Sequence, residues 1–191
     1  MMRIITGSAR GTHLFTLSGE ATRPTSERAK EALFSMLQQA PLGARVLDLF
    51  AGSGQLGLEA LSRGAAFAVF TDGSKEAADV VRRNAQKTHL SDRCEVVVAD
   101  ALSYLRTYRK APFDLVFLDP PYAAGLLPQC LRLLLDGNLL TPNAYIVTES
   151  ASPEDVFAGD TFLADQFEIM KQNRYGIAHI TVLRPAIKEN L

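Results

Sequence analysis

The chain is short of cysteine, of long apolar runs and of net charge, and each shortage excludes a class of protein. The two cysteines, Cys94 and Cys130, show no CxxC or Cys/His spacing, which argues against a disulfide framework and a structural zinc site. No run approaches 18 apolar residues, so we expect no membrane-spanning helix. The apolar stretch within residues 1–7 is too short for a signal peptide. These features predict a metal-free protein of the reducing cytoplasm, without a membrane partner.

The net charge of −1 argues against a protein that coats nucleic acid without specificity. The charge is unevenly spread, because residues 1–30 carry a balance of +3 and the rest of the chain carries −4. The basic residues of this segment are Arg3, Arg10, Arg23, Arg28 and Lys30. A basic segment on a mildly acidic body leaves local binding of a polyanion open, and a solvated arm is the alternative.

The 191 residues, 47% of them hydrophobic and 21% charged, are enough for one packed domain with a short appendage. Residues 1–22 are rich in Gly, Ser and Thr and contain two short β-like stretches, which predict a small hairpin or an extended arm. We expect residues 1–22 to form this unit and residues 23–191 to form the main domain.

Strands, Gly-rich turns and helices alternate from residue 44 onwards. Strands such as 115–118 are continuously apolar, which indicates burial on both faces of a sheet. This order predicts a doubly wound, Rossmann-like α/β domain with a mostly parallel, seven-stranded sheet and an antiparallel C-terminal hairpin. The expected strands lie at residues 45–50, 67–71, 94–99, 113–118, 144–149, 167–171 and 177–183. The expected helices lie at 55–63, 75–88, 101–108 and 125–136, after a first helix that Thr25 or Ser26 caps and Pro41 ends.

The turns after the first and fourth strands are expected to carry function. Ligands of such sheets bind beyond the carboxyl ends of the strands, at the switch point where these two strands lie side by side. The first turn reads DLFAGSGQLG over residues 48–57 and contains GxGxxG at Gly52, Gly54 and Gly57. Glycines there let the backbone turn tightly and approach a ligand closely. A tight turn with a purely structural role is the alternative.

Four acids lie at the ends of four of the predicted strands: Asp48, Asp72, Asp100 and Asp119. Asp72 follows Gly52 at a spacing suited to binding ribose hydroxyls, which also fits an NAD-dependent oxidoreductase. Four carboxylates, however, would repel a pyrophosphate. They suit S-adenosylmethionine, which carries a sulfonium, an α-amino group and a ribose diol. Each acid alone could instead cap the helix that follows it.

The turn after the fourth strand reads Asp119-Pro120-Pro121-Tyr122. The prolines have no N–H group and stiffen the chain, so the Asp119 carboxylate and the Pro120 carbonyl can both accept hydrogen bonds from an exocyclic amine. Tyr122 offers a face on which a nucleobase can stack. The motif predicts direct methyl transfer to such an amine, and a rigid turn with a capping Asp is the alternative.

Together these motifs resemble the class I S-adenosylmethionine-dependent methyltransferases that modify exocyclic amines. The segments RIITG at residues 3–7 and TRPTSERAKEALF at 22–34 narrow the resemblance to the RsmD family, bacterial 16S rRNA guanine-N2 methyltransferases. The resemblance implies methylation of guanine 966 of 16S rRNA, within a 30S subunit or an assembly intermediate. It implies donor-binding residues Asp48, Ala51, Gly52, Ser53, Gly54, Asp72, Gly73, Asp100 and Ala101. It implies amine-binding residues Asp119, Pro120, Pro121 and Tyr122. It also implies that residues 1–22 contact RNA, with further RNA contacts assigned to Arg10, Arg23 and Arg28.

Three other functions stay open from the residues alone. An N6-adenine DNA or RNA methyltransferase shares the DPPY motif, although 191 residues leave little room for a DNA target-recognition domain. An NAD-dependent oxidoreductase fits the glycines but neither the four acids nor DPPY. A donor-binding ribosome assembly factor without catalysis would need no intact DPPY. We expect the protein to act as a monomer.

Overall fold

A seven-stranded sheet organises the computed structural model, which describes residues 2–17 and 27–186. Its strands are β1 (Arg45–Asp48), β2 (Phe67–Asp72), β3 (Cys94–Val98), β4 (Phe113–Leu118), β5 (Leu140–Ser150), β6 (Phe167–Tyr175) and β7 (Ala178–Pro185). The order across the sheet is β3-β2-β1-β4-β5-β7-β6. Strands β1 to β5 pair in parallel, whereas β7 pairs antiparallel with β5 and β6. The predicted fold class, including the antiparallel C-terminal hairpin, is confirmed.

Helices cover both faces of the sheet. They are α1 (Glu27–Leu37), α2 (Gln55–Ser62), α3 (Lys75–Lys87), α4 (Ala101–Thr107), α5 (Leu127–Asp136) and α6 (Thr161–Ala164). Helices α1 to α3 bury apolar residues in one core cluster, and α4 to α6 bury theirs in another. Neighbouring residues of one strand enter different clusters, as Val46 and Leu47 of β1 do. Because side chains alternate along a strand, continuously apolar strands fill both cores at once.

Several boundaries differ from those expected. Strand β1 ends at Asp48 rather than at residue 50, because the glycine turn begins there. Strand β5 begins at Leu140, and β6 continues to Tyr175 because it pairs with β7 up to the hairpin turn. Helix α6 and a 3₁₀ turn at Pro153–Val156 were not expected. The predicted cap of α1, Thr25 or Ser26, lies outside the described residues.

Strand β1 lies between β2 and β4, at the switch point of the sheet. Asp48 stands opposite Phe70 of β2 and Phe117 of β4 in the parallel register. The carboxyl ends of these strands therefore meet at one edge of the sheet. The loops that follow β1 and β4 are neighbours, as the sequence predicts.

Residues 2–17 form a hairpin packed on the main sheet and its helices. Arg3 and His13 make an antiparallel bridge, and the N–H of Ile4 donates to the carbonyl of Thr12 at 3.0 Å. The hairpin buries Met2, Ile4, Ala9 and Leu14 in the core cluster that α1 and α2 also enter. The expected hairpin is confirmed, whereas its role as a separate RNA-contacting unit, residues 1–22, stays a prediction.

Glu59 of α2 is a fully buried carboxylate that fastens this hairpin. Its two oxygens accept the backbone N–H groups of Ile5 at 2.8 Å and Thr6 at 3.0 Å. Nε of Arg63 lies 2.9 Å from Oε1 of Glu59. One side chain of α2 therefore satisfies two N–H groups of the hairpin that would otherwise lack partners.

Lys30 of α1 joins the same buried network and is only 1% exposed. Its Nζ lies 3.5 Å from Oε2 of Glu59 and donates to the carbonyl of Arg3 at 2.6 Å. Burial lowers the pKa of Lys30, and the charge of Glu59 opposes that shift. The network thus links α1, α2 and the hairpin.

We predict that Glu59→Ala lowers the free energy of unfolding by about 3–5 kcal/mol, because Lys30 stays buried without its opposite charge. Urea denaturation followed by circular dichroism measures the loss. The matched control is Glu31→Ala on α1, where the side chain is exposed. That control should change stability by about 0.5 kcal/mol or less. Equal losses in the two variants would show that the network does not stabilise the fold.

Candidate active site

Glycine is favoured at two positions of the turn between β1 and α2 and at one position in the first turn of α2. Gly52 and Gly54 have φ angles of 51° and 78°, in the left-handed region that side chains disfavour. Gly57 lies where a Cβ would stand 2.3 Å from Cε1 of Phe70. Backbone conformation therefore explains the glycines at positions 52 and 54. Close packing of α2 on β2 explains the glycine at position 57.

Asp48 is the last residue of β1 and is only 4% exposed. Its Oδ2 accepts the backbone N–H of Gly57 at 3.0 Å. Burial raises the pKa of Asp48 from its usual 3.8 to about 7; the hydrogen bond from Gly57 opposes this rise and the charge of Asp72 adds to it. A buried carboxylate of this kind favours a cationic partner, because an opposite charge stabilises its ionised form.

Asp72 ends β2 and connects it to the glycine turn. Its Oδ2 accepts the N–H of Gly52 at 3.0 Å, and its Oδ1 accepts the N–H of Ser74 at 2.8 Å. Each carboxylate oxygen has a second lone pair, so both can still accept hydroxyl groups. These two hydrogen bonds fix the orientation of the carboxylate at the mouth of the turn.

The capping alternative is right for Asp100 and wrong for Asp48 and Asp72. Asp100 is the exposed N-cap of α4, and it accepts the N–H of Ser103 at 2.9 Å, a hydrogen bond that lowers its pKa. By contrast, Gly54 is the N-cap of α2 and Ser74 is the N-cap of α3. The carboxylates of Asp48 and Asp72 therefore serve the turn after β1 rather than a helix end.

The glycine turn and the DPPY loop meet in one cleft. The predicted site residues that line it are Asp48, Ala51, Gly52, Ser53 and Asp119. Four other lining residues, Met2, Phe50, Gln55 and Leu56, were not predicted. Met2 reaches the cleft because the hairpin docks beside the turn, where the Ser53 hydroxyl donates to Sδ of Met2 at 3.1 Å. No local sequence signal could have shown that placement.

The remaining predicted donor residues are not among those that line this cleft. Gly54 is buried within the turn, Gly73 is exposed after Asp72, and Ala101 is the buried first residue of α4. Their assignment to the donor, like that of Asp100, stays a prediction.

The DPPY loop is supported by a carboxylate that sequence reasoning missed. Tyr122 begins a short 3₁₀ turn, and its hydroxyl donates to Oε1 of Glu149 at 2.7 Å. Glu149 lies near the end of β5 and lines one cavity with Asp119 and another with residues 120–122. The signal available in the sequence was an acid at the end of the fifth predicted strand.

Asn84 of α3 ties the hairpin to the glycine turn. Its Oδ1 accepts the N–H of Phe15 at 2.7 Å, and its Nδ2 donates to the carbonyls of Phe15 and Ser53, both at 2.9 Å. The side chain is fully buried and uses two donors and one acceptor. The end of the hairpin and the turn are therefore held by one amide group.

The predicted RNA-contacting residues fall in different places. Arg10 is exposed in the turn of the hairpin and Arg28 is exposed on α1, whereas Arg23 lies outside the described residues. Two further cations cover the ring of Phe15: Arg83 at 4.1 Å and Lys87 at 4.5 Å from its centroid. This basic and aromatic group was not predicted, because it joins the hairpin to α3 across 68 residues of sequence or more.

Both cysteines are free thiols with raised pKa values. Burial raises the pKa of Cys130 to about 12, and burial is also the main cause of the rise at Cys94. Neither is a thiolate near neutral pH, so neither is suited to act as a nucleophile.

Residues 2–17 and 27–186 hold no cluster of three His, Cys, Asp or Glu side chains placed to ligate a metal. Within the same ranges, no helix has the length and apolarity needed to cross a membrane.

We predict that Asp48 makes the protein less stable as the pH rises. A carboxyl whose pKa is raised by folding holds its proton more tightly in the folded chain, so the free energy of unfolding falls between about pH 4 and pH 7. Between about pH 5 and about pH 8 the Asp48 contribution is a loss of roughly 2–3 kcal/mol. Asp48→Asn, which keeps an acceptor for Gly57, should remove this loss and be more stable than the wild type at pH 8.

Urea denaturation at both pH values measures this effect, with the exposed Asp92→Asn as the matched control. If Asp48→Asn kept the full pH dependence of the wild type, the carboxyl would not titrate in this range.

Comparison with known proteins places the chain in a family. The family model described as conserved hypothetical protein 95 matches residues 2–184. Ribosomal RNA small subunit methyltransferase D of Haemophilus influenzae is 42% identical over 80% of this chain and 81% of its own length. The protein of the same name from Escherichia coli is 39% identical over 78% of this chain and 74% of its own. The solved structure of yhhF from Escherichia coli superimposes with a TM-score of 0.82 at 33% identity, covering 96% of this chain and 97% of that one. The chain therefore belongs to the conserved hypothetical protein 95 family, which is the RsmD family of methyltransferases.

Proposed function

We propose that this protein transfers a methyl group from S-adenosylmethionine to the N2 amine of a guanine in 16S ribosomal RNA. The target is the family's guanine 966, presented in a 30S subunit or an assembly intermediate in the cytoplasm. The observation that carries the proposal is the single cleft lined by both the glycine turn and Asp119. The names of the two relatives support ribosomal RNA of the small subunit as the substrate.

The glycine turn and its two carboxylates fit this donor by their chemistry. Asp48 supplies a buried negative charge suited to the cationic end of the donor. Asp72, held by two backbone N–H groups, has lone pairs available for the ribose diol. Left-handed glycines allow the backbone of the turn to approach the ligand.

Asp119 and Pro120 fit the amine that receives the methyl group. The Asp119 carboxylate and the Pro120 carbonyl accept the two amine hydrogens and turn the nitrogen lone pair towards the donor. When bound, S-adenosylmethionine supplies a methyl carbon that this nitrogen attacks as the carbon–sulfur bond breaks and its electron pair stays on sulfur. Asp119 stabilises the positive charge that develops on nitrogen, which then loses one proton to this carboxylate or to water. Alignment of the two reactants supplies the rest of the acceleration.

Tyr122, Arg10 and Arg28 suit an RNA whose target base is unstacked from its neighbours. The hydrogen bond to Glu149 fixes the ring of Tyr122, so that a base can stack on a preset face. The target base must be extruded from its stack, and we assign the exposed cations Arg10 and Arg28 to phosphates of the bound RNA. Local charge of this kind is compatible with a net charge of −1.

The decisive experiment incubates the protein with methyl-labelled S-adenosylmethionine and undermethylated 30S particles, naked 16S rRNA or DNA. Nucleoside mass spectrometry should find N2-methylguanosine from the ribosomal substrates. We predict that Asp119→Asn lowers this transfer by about 10²–10³-fold, because the developing charge on the amine loses its counterion. Calorimetry with S-adenosylhomocysteine should show donor binding unchanged in that variant.

Exposed Asp136→Asn, at the end of α5, is the matched control and should keep full activity. Methylation of adenine would overturn the guanine proposal in favour of an N6-adenine enzyme. Donor binding without any transfer would favour a non-catalytic assembly factor. Full turnover by Asp119→Asn would refute the assigned role of that carboxylate.

We predict that Arg10→Ala and Arg28→Ala each raise KM for 30S particles and leave the affinity for S-adenosylhomocysteine unchanged. The slope of log binding constant against log salt concentration is negative, and each variant should make it less steep by about one, as expected for a lost phosphate contact. Filter binding over a salt series measures this slope. Arg109→Ala, an exposed site after α4, is the control and should leave the slope as it is. Unchanged slopes in both test variants would place the RNA on another surface.

A further inference from the structure

Glu149 occupies a place in the site that the proposed transfer explains only in part. It holds the hydroxyl of Tyr122 through Oε1 at 2.7 Å. It also lines the cavity that Asp119 enters and the neighbouring one formed by residues 120–122. The same carboxylate therefore borders both Asp119, which we assign to the amine, and Tyr122, which we assign to the base.

The register of the sheet brings Glu149 beside Asp119. Leu118 of β4 stands opposite Thr148 of β5 in the parallel ladder, so the next residue of each strand lies at the same sheet edge. Neighbouring strands run about 4.8 Å apart. Asp119, directly after β4, and Glu149, the second-last residue of β5, therefore lie side by side at this edge and line one cavity.

Guanine is the base whose edge fits two neighbouring carboxylates. Its N2 amine is adjacent to N1–H, so two donors lie side by side. The N6 amine of adenine is instead adjacent to N1 with a bare lone pair, which a carboxylate repels. A pair of acceptors thus attracts the guanine edge and rejects the adenine edge.

We infer that Glu149 is a specificity-determining residue: its carboxylate accepts N1–H of the guanine whose N2 amine is bound by Asp119. The inference rests on the proposed function and adds to it the residue that selects the base. A site built to receive a donor loses much of its binding when that donor is replaced by an acceptor, because the polar group of the protein is left unpaired.

The test uses 30S particles reconstituted with 2-aminopurine in place of the target guanine. This base keeps the 2-amine but has an unprotonated N1. The wild type should methylate guanine particles with a kcat/KM about 10²-fold or more above that for 2-aminopurine particles. In Glu149→Gln, the side-chain amide can donate to the bare N1, and the ratio should fall to about tenfold or less. Comparing ratios between the two enzymes cancels the different intrinsic reactivities of the two amines.

Tyr122→Phe is the matched control, since it removes the hydroxyl from Glu149 and leaves the carboxylate in place. It should slow methylation of both kinds of particle by the same factor and leave the ratio of their kcat/KM values as in the wild type. If Glu149→Gln also slowed both alike, Glu149 would only position Tyr122 and the inference would be wrong. Equal use of 2-aminopurine and guanine by the wild type would also refute the inference, and that result needs no variant. Absence of guanine methylation by the wild type would instead refute the proposed function, whereas donor affinity reports whether each variant is folded.

Discussion

The parallel pairing of β1 with β4 fixes the geometry on which the site depends. Beyond the last ladder pair, the N–H of Leu49 still donates to the carbonyl of Phe117 at 3.1 Å, so the strands stay together up to their loops. A shift of one residue would move every buried side chain of β1 to the opposite core, which the packing on both faces forbids. The separation between the glycine turn and Asp119 is thus set by the core of the sheet rather than by the loops themselves.

Burial of charged side chains has two different consequences in this fold. Lys30 and Glu59 neutralise each other and join the N-terminal hairpin to two helices. Asp48 receives a backbone N–H instead, and its pKa stays near neutrality because burial outweighs that hydrogen bond. Burial of this carboxylate lowers the stability of the protein above neutral pH, and a cation bound beside it would recover the difference. The unfavourable charge thereby becomes a source of affinity for a cationic ligand.

The elements that could be predicted from the sequence are those encoded by neighbouring residues. The apolar strands, the glycine turn and the DPPY loop each have a local pattern, and sheet topology then places the two loops together. The extension of β6 to Tyr175 depends on its antiparallel partner, and Met2 enters the cleft because the hairpin, held by Glu59 and Asn84, docks there. Asp100 caps α4. The sequence could not distinguish this role from ligand binding, because an acid directly before a helix is compatible with both. The role of Glu149 depends on the register between two strands that are far apart in the chain.

The amide of Asn84 connects the hairpin and the glycine turn through hydrogen bonds to both. One side chain is hydrogen-bonded to both Phe15 and Ser53. A change that strengthens its hydrogen bond to one segment therefore also alters its hydrogen bond to the other. Such coupling is reciprocal. If a ligand at the turn raises the affinity of the hairpin for a partner by some factor, that partner raises the affinity of the turn for the ligand by the same factor. In such an enzyme, binding of either reactant would then change the affinity for the other through Asn84, a side chain that contacts neither reactant.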